Sequence, residues 1–227
     1  MHEFSDYFYV FVERSSDIFE ALLQHLLISV VAILLGCVVA VPLGIFLSKT
    51  SFKWIQSIVF TITNIFQTIP SLAMLAIFIP LIGIGLKPAI IALFLYSLMP
   101  ILRNTYAAFE SIDDGIIESA RGMGYSSLQQ MIQIEVPLAM PYIMSGIRLT
   151  TVYIINWATL AALIGAGGLG QLIIGGMGVN NKPLIMAAAI LAMVLALTID
   201  FLFGRVEKTF VKRESSAQNS MQMEEKA

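Results

Sequence analysis

Five stretches of this chain are long and apolar enough to cross a bilayer, and one polar interval, residues 107–137, divides the third from the fourth. A crossing helix needs about 20 residues, and the stretches fall at residues 22–47, 55–82, 89–106, 138–164 and 184–203. Composition agrees: 58% of the 227 residues are hydrophobic and only 12% are charged, against roughly a quarter charged in a soluble domain. Backbone polar groups in hydrocarbon must find partners within the protein, which leaves helices or closed-barrel strands. No stretch alternates with period two, so the barrel is excluded. The expected fold is all-α: a polytopic membrane protein with about five transmembrane helices and one large polar loop.

Charge placement orients the chain. With five spans, ten of the 13 Lys and Arg residues, among them Lys49, Lys53, Arg121, Arg205 and Lys208, fall on one side, and Arg14, Lys87 and Lys182 fall on the other. Positive loops stay in the cytoplasm, so the amino terminus is expected outside and the carboxyl terminus inside. Residues 1–21 hold five acids and one base. A secretory signal opens with a basic region, so this segment is expected to be an extracytoplasmic part of the mature protein. Its Phe4, Tyr7, Phe8, Tyr9, Val10 and Phe11 suit either a short interfacial helix or a flexible tail. Residues 22–206 form the transmembrane unit. Residues 207–227 are expected to be cytoplasmic and largely disordered, being polar and Ser/Gln-rich from residue 214. Cys37 is the single cysteine, which excludes an intrachain disulfide.

The interval 107–137 carries five acids and one base, so it lies outside the hydrocarbon, in the cytoplasm on the orientation above. Asp113 and Asp114 stand where a helix N-cap is wanted, ahead of GIIESAR. Gly122 and Gly124 supply permissive backbone to end that helix. Ser126 and Ser127, with Gln129 and Gln130 each three residues later, form capping-box signatures for a second helix. Met131, Ile132, Ile134 and Val136 give this helix an apolar side, and Pro137 is expected to close it. The loop reads as two short helices joined by a glycine elbow.

Glu118-Ser119-Ala120, then Gly124, Ile134 and Val136-Pro137 have the spacing of the cytoplasmic signature of ABC-importer permeases. That signature runs E-A-A, three residues, G, nine residues, I, one residue, L-P; Ser119 replaces an Ala and Val136 a Leu. IFQTIPSLAMLAIFIPLIGIG (residues 65–85), LMPILRNTY (98–106) and GIRLTTVYIINWATLAALIGAGGLGQ (146–171) resemble the permeases of osmoprotectant importers for glycine betaine, carnitine and choline. The resemblance runs from about Phe19 to Lys212. It implies a multi-pass subunit of the bacterial cytoplasmic membrane whose loop lays a coupling helix into a groove of a cytosolic ATP-binding subunit. Glu118, Ser119, Ala120, Arg121, Gly122, Gly124 and Pro137 are then the coupling residues. It also implies a second permease chain, the same or similar, and an extracellular substrate-binding protein. A permease for another small solute such as methionine, or a membrane anchor that moves no solute, are the other readings.

Polar and aromatic groups within the spans are candidates for a path: Asn64 and Gln67 on the second, Tyr96 on the third, and Tyr153, Asn156 and Trp157 on the fourth. A quaternary ammonium donates no hydrogen bond, so its path would use aromatic faces. Helix–helix hydrogen bonding is the ordinary alternative. Pro42, Pro70, Pro80 and Pro100 are candidates to bend the spans. Asp200 is expected to pair with Arg205 or to snorkel to the near cytoplasmic end, and Arg103 and Arg148 likewise to pair or snorkel. Gly165, Gly167, Gly168 and Gly170 fit a dinucleotide pattern but lack its strand and βαβ setting. They are candidates for an outer gate, the alternative being a flexible outer loop. There is no G-x-x-x-x-G-K-[ST] and no metal-ligand spacing around His2 or His25. No catalytic residue, metal, cofactor or nucleic-acid partner is therefore expected, and ATP hydrolysis is assigned to another subunit.

Overall fold

A computed structural model describes the backbone over residues 4–224 and side chains over residues 9–209. The N-terminal segment takes the helical alternative. Helix α1 (Phe4–Glu13) is separated by Arg14 from the long α2 (Ser15–Lys49), and Val10 is buried against Leu184 and Ala187. Helices α3 (Lys53–Thr68), α4 (Ser71–Ile82) and α5 (Leu86–Glu110) follow. The polar interval contains α6 (Asp114–Gly122) and α7 (Ser127–Gln130), and then come α8 (Val136–Ala158), α9 (Leu169–Gly178) and α10 (Lys182–Glu224).

Small residues set how closely the helices approach. Gly36, Ala40 and Gly44 recur every fourth residue of α2, and together they present a shallow face to α5. A Cβ on Gly36 would lie 2.1 Å from the Ser97 hydroxyl oxygen, and one on Gly44 would lie 2.8 Å from the Thr105 Cβ. These pairs advance in the same direction, so α2 and α5 run parallel. Ala40, Leu47, Leu98, Ile101 and Leu102 close the core between them. Phe109 near the end of α5 meets Ala139 and Ile143 near the start of α8, which therefore runs antiparallel. The outward surfaces of α2 and α10 carry Leu27, Leu34, Val38, Leu197 and Phe201, which suits a lipid surround.

The second span departs from expectation. Residues 55–82 are not one helix: α3 and α4 meet at 98° across Ile69 and Pro70, and only as a pair are they long enough to cross. A residue before proline is driven out of the helical region, and Ile69 is extended at φ −70°, ψ 127°. Open carbonyls at this break and beside Pro100 are met across the α3–α5 contact. Pro100 has no N–H for the carbonyl of Tyr96, and the Gln67 side chain donates to that carbonyl instead. The Tyr96 hydroxyl donates back to the Ile69 carbonyl at 2.5 Å.

One boundary moves and two further expectations are corrected. The helix that carries the fourth span starts ahead of residue 138, because Ser127–Ala158 is one continuous helical rod. Pro137 does not close a helix: the rod widens to a π turn over Met131–Glu135, where the Val136 N–H bonds the Met131 carbonyl, and this accommodates the ring. Asp200 does not pair with Arg205, which lies five residues on and so about 140° around the helix. Arg148 of α8 holds Asp200 with two hydrogen bonds of 2.7 and 2.8 Å and Glu207 with a third of 2.9 Å, while Arg205 stacks on Phe201. Helix α10 runs on to Glu224. Good helix formers such as Lys, Arg, Glu, Ala and Gln carry it without an apolar stripe.

Gly44→Leu is expected to destabilise the protein by about 1–3 kcal/mol through overpacking against Thr105. Gly178→Ala, where an added Cβ meets nothing within 4 Å, should leave it unchanged. Thermal unfolding of the two purified variants in detergent checks the contrast.

Candidate functional site

The elbow of the polar loop is built by its caps. The Asp113 carboxylate accepts from the Gly115 N–H at 2.7 Å, opening α6. At its other end the Gly124 N–H bonds the Arg121 carbonyl and the Tyr125 N–H bonds the Ala120 carbonyl, at 3.0 and 3.1 Å. This is the Schellman arrangement, and it needs a left-handed residue; Gly124 supplies it at φ +84°. Gly122 is ordinary helix, so only one of the two expected elbow glycines has that role. Of the two candidate capping boxes, Ser126 with Gln129 forms. Gln130 is buried and donates to the Tyr125 carbonyl.

The signature residues divide between two surfaces. Ala120 is buried at 1% exposure and packs inward, whereas Glu118, Ser119, Arg121, Gly122 and Gly124 face outward. A Cβ at Gly122 would meet nothing within 4 Å, so the surface there is open. Ile116, Met123, Leu128 and Ile132 are exposed beside these polar groups, an apolar patch that loop polarity concealed in the sequence. Pro137 is not at the elbow but in the shaft beyond the π turn.

The elbow is tied to the spans. Glu135, buried in the π turn, forms an ion pair with Lys49 at the end of α2, and the Lys49 ammonium sits 5.7 Å from the centre of the Phe109 ring at the end of α5. A recess of about 470 Å³ opens between these groups and the elbow, lined by Lys49, Asp114, Glu118, Arg121, Gln130 and Glu135 among others.

A second cavity, of about 430 Å³, collects four of the six expected path residues, Asn64, Gln67, Tyr153 and Trp157. Met99, Pro100, Arg103 and Asn104 complete its wall. Tyr153 and Trp157 stack one turn apart, centroids 6.0 Å and planes 25° apart. Tyr96 is not on this wall: it is buried behind Trp157, centroids 4.7 Å apart, with its hydroxyl engaged by Ile69. It takes the helix–helix role. Asn156 is exposed and also lies outside the cavity. Arg103 was missed as a wall residue because nothing in the sequence separates a snorkelling arginine from one facing a cavity.

The glycine-rich segment is held tightly rather than loosely. The Gly168 N–H donates to the Gln24 side-chain oxygen at 3.1 Å. Added Cβ atoms would fall 2.0 Å from that same oxygen at Gly167, 3.1 Å from His25 Nδ1 at Gly168, and 1.9 Å from the Thr159 carbonyl oxygen at Gly170. His25 is buried and donates from Nε2 to the Ile155 carbonyl at 3.0 Å. Gly165, left-handed at φ 75°, ends the 3₁₀ turn Leu160–Ile164, whose last carbonyl accepts from the Gly85 N–H. The segment thus wedges between the start of α2, the end of α8 and the α4–α5 turn.

Residues 40–213 match the family model described as "Binding-protein-dependent transport system inner membrane component". The chain belongs to this family. It is 45% identical over 197 residues to the carnitine transport permease protein OpuCB of Listeria monocytogenes, covering 87% of this chain and 89% of that protein. It is 46% identical over 185 residues to the glycine betaine/carnitine/choline transport system permease protein OpuCB of Bacillus subtilis (strain 168), covering 82% and 84%. Among solved structures, one titled as showing inward facing conformations of the MetNI methionine ABC transporter superposes with a TM-score of 0.79 at 24% identity, over 87% of this chain and 98% of that one. At that identity the likeness establishes the fold.

The matched region of this inner membrane component contains the elbow, the cavity and the glycine wedge together. Its elbow geometry separates the two glycines experimentally. Gly124→Ala is expected to cost about 1–2 kcal/mol, since an L-residue must adopt a left-handed conformation. Gly122→Ala, at the last helical position with open space around it, is expected to be neutral or stabilising by no more than about 0.5 kcal/mol. Hydrogen exchange at the Tyr125 amide, which closes the Schellman turn, should accelerate in the first variant and not in the second.

Proposed function

We propose that this chain is the transmembrane permease subunit of an ATP-driven importer, carrying quaternary-ammonium osmoprotectants such as glycine betaine, carnitine or choline into the cell. Its relatives named for those solutes, at 45% and 46% identity over more than four-fifths of the chain, carry the reading. The methionine transporter shares the fold at only 24% identity. In this reading the amino terminus is outside and the elbow is cytoplasmic. Glu118, Ser119, Arg121, Gly122 and Gly124, with Met123 and Leu128, dock onto a cytosolic subunit that hydrolyses ATP. An exposed apolar patch beside small and charged residues suits a helix seated in a groove. A second permease chain completes the path, and an extracellular protein delivers the solute to the wedge of Gly165, Gly167, Gly168 and Gly170, which serves as the outer gate.

The cavity suits a transient, weak path. Tyr153 and Trp157 offer π-faces to a cation, and Asn64, Gln67 and Asn104 offer exchangeable polar contacts. The test is uptake of labelled glycine betaine, carnitine and choline by cells that lack their own osmoprotectant importers and express the complete system. Uptake of at least one is expected with the natural chain and should fall to background with Gly122→Trp. That variant fills open surface without disturbing the fold, so its protein should reach the membrane at a normal level. Uptake of methionine and none of the three would overturn the substrate assignment; full uptake by Gly122→Trp would overturn docking at the elbow.

A further inference from the structure

Two arginines stand on span helices, a solvent-accessible Arg103 on α5 and a half-buried Arg148 on α8, and the fold treats them differently. Arg148 is neutralised by Asp200 and Glu207 through three hydrogen bonds. Arg103 lines the cavity with Asn64, Gln67, Met99, Asn104, Tyr153 and Trp157, all of them uncharged. Among the described residues no carboxylate forms an ion pair with Arg103. An ionisable group in a span that faces a cavity without a counter-ion carries a field into that cavity. A guanidinium also presents a planar fork of donors matched to a carboxylate. On the same wall stand the stacked faces of Tyr153 and Trp157, which attract a quaternary ammonium. The cavity of about 430 Å³ is within the range of small-molecule sites.

We propose that Arg103 makes this cavity selective for zwitterions: its guanidinium takes the carboxylate of the solute while Tyr153 and Trp157 face the ammonium end. The proposal rests on the osmoprotectant reading above and refines it. A solute with both charges satisfies both walls, as glycine betaine and carnitine do. Choline has the ammonium and no carboxylate, so it gains nothing from Arg103 and is repelled by it. Arg103 therefore discriminates within the permease, downstream of any selection made by the delivering protein.

The experiment compares the natural chain, Arg103→Gln and Arg103→Lys in the complete system with the same binding protein, measuring uptake of glycine betaine, carnitine and choline in parallel. The expected result for Arg103→Gln is a fall of about tenfold or more for the two carboxylate-bearing solutes, with choline uptake unchanged or raised. Arg103→Lys, which keeps the charge without the fork, should recover part of the lost uptake. An equal fall for all three solutes, or no change for any, would overturn the proposal, as would a natural chain that carries choline alone. Failure of the natural chain to carry any of the three would defeat the osmoprotectant reading itself, and the proposal with it.

Discussion

Pro100 offers no N–H to the carbonyl of Tyr96, and hydrocarbon offers no water in its place. An unsatisfied backbone group in lipid costs several kcal/mol. The Gln67 side chain meets that carbonyl, and the Tyr96 hydroxyl meets the carbonyl of Ile69 at the break in the second span. This reciprocal clasp lets one span be broken at Pro70 and another carry a proline without an open backbone group at either of these two carbonyls. It also holds α3 beside α5 at the level where Asn64, Met99 and Arg103 line the cavity. Gln67 thus serves the cavity wall and the backbone at once.

A single helical rod joins the elbow to the cavity. Ser127–Ala158 begins at the elbow, passes through the π turn, locks to α10 through Arg148, and ends with Tyr153 and Trp157 on the cavity wall. The Lys49–Glu135 ion pair fixes its lower end to α2. A rod clamped in this way moves as a body or not at all, because packed helices shift between discrete arrangements rather than bending continuously. On the proposed reading, a push at the elbow would reach the aromatic wall about twenty residues along the rod from the π turn, as coupling of an ATP-hydrolysing subunit to a solute path requires.

Much of this was legible in the residues. Long apolar runs announced the spans, and side-chain caps announced the two loop helices at Asp113 and Ser126, because capping is a local interaction between neighbours in sequence. What depended on distant partners was not legible. Asp200 finds Arg148, 52 residues away, in place of the nearby Arg205. Tyr96 looked like a path residue and is a backbone clasp, since its direction depends on where Ile69 is placed. Pro137 looked like a terminator because a π turn leaves no compositional trace. The glycines from Gly165 to Gly170 suggested a gate, with a loose loop as the alternative, and gave no sign that Gln24, His25 and Thr159 would fill the space a Cβ needs at Gly167, Gly168 and Gly170.

The central claim is that the elbow and the aromatic wall belong to one rigid lever. It is tested by the distance between spin labels at Gln133, exposed at the loop end of the rod, and Leu149, exposed on the shaft of α8 toward the aromatic wall, with the native Cys37 replaced by Ser. The measurement is made in the assembled transporter with and without ATP. A single narrow distance, unchanged between the two states, is the predicted result. A broad distribution, or a shift of several ångströms on adding ATP, would contradict the account, because the loop would then move independently of the helix it is held to drive.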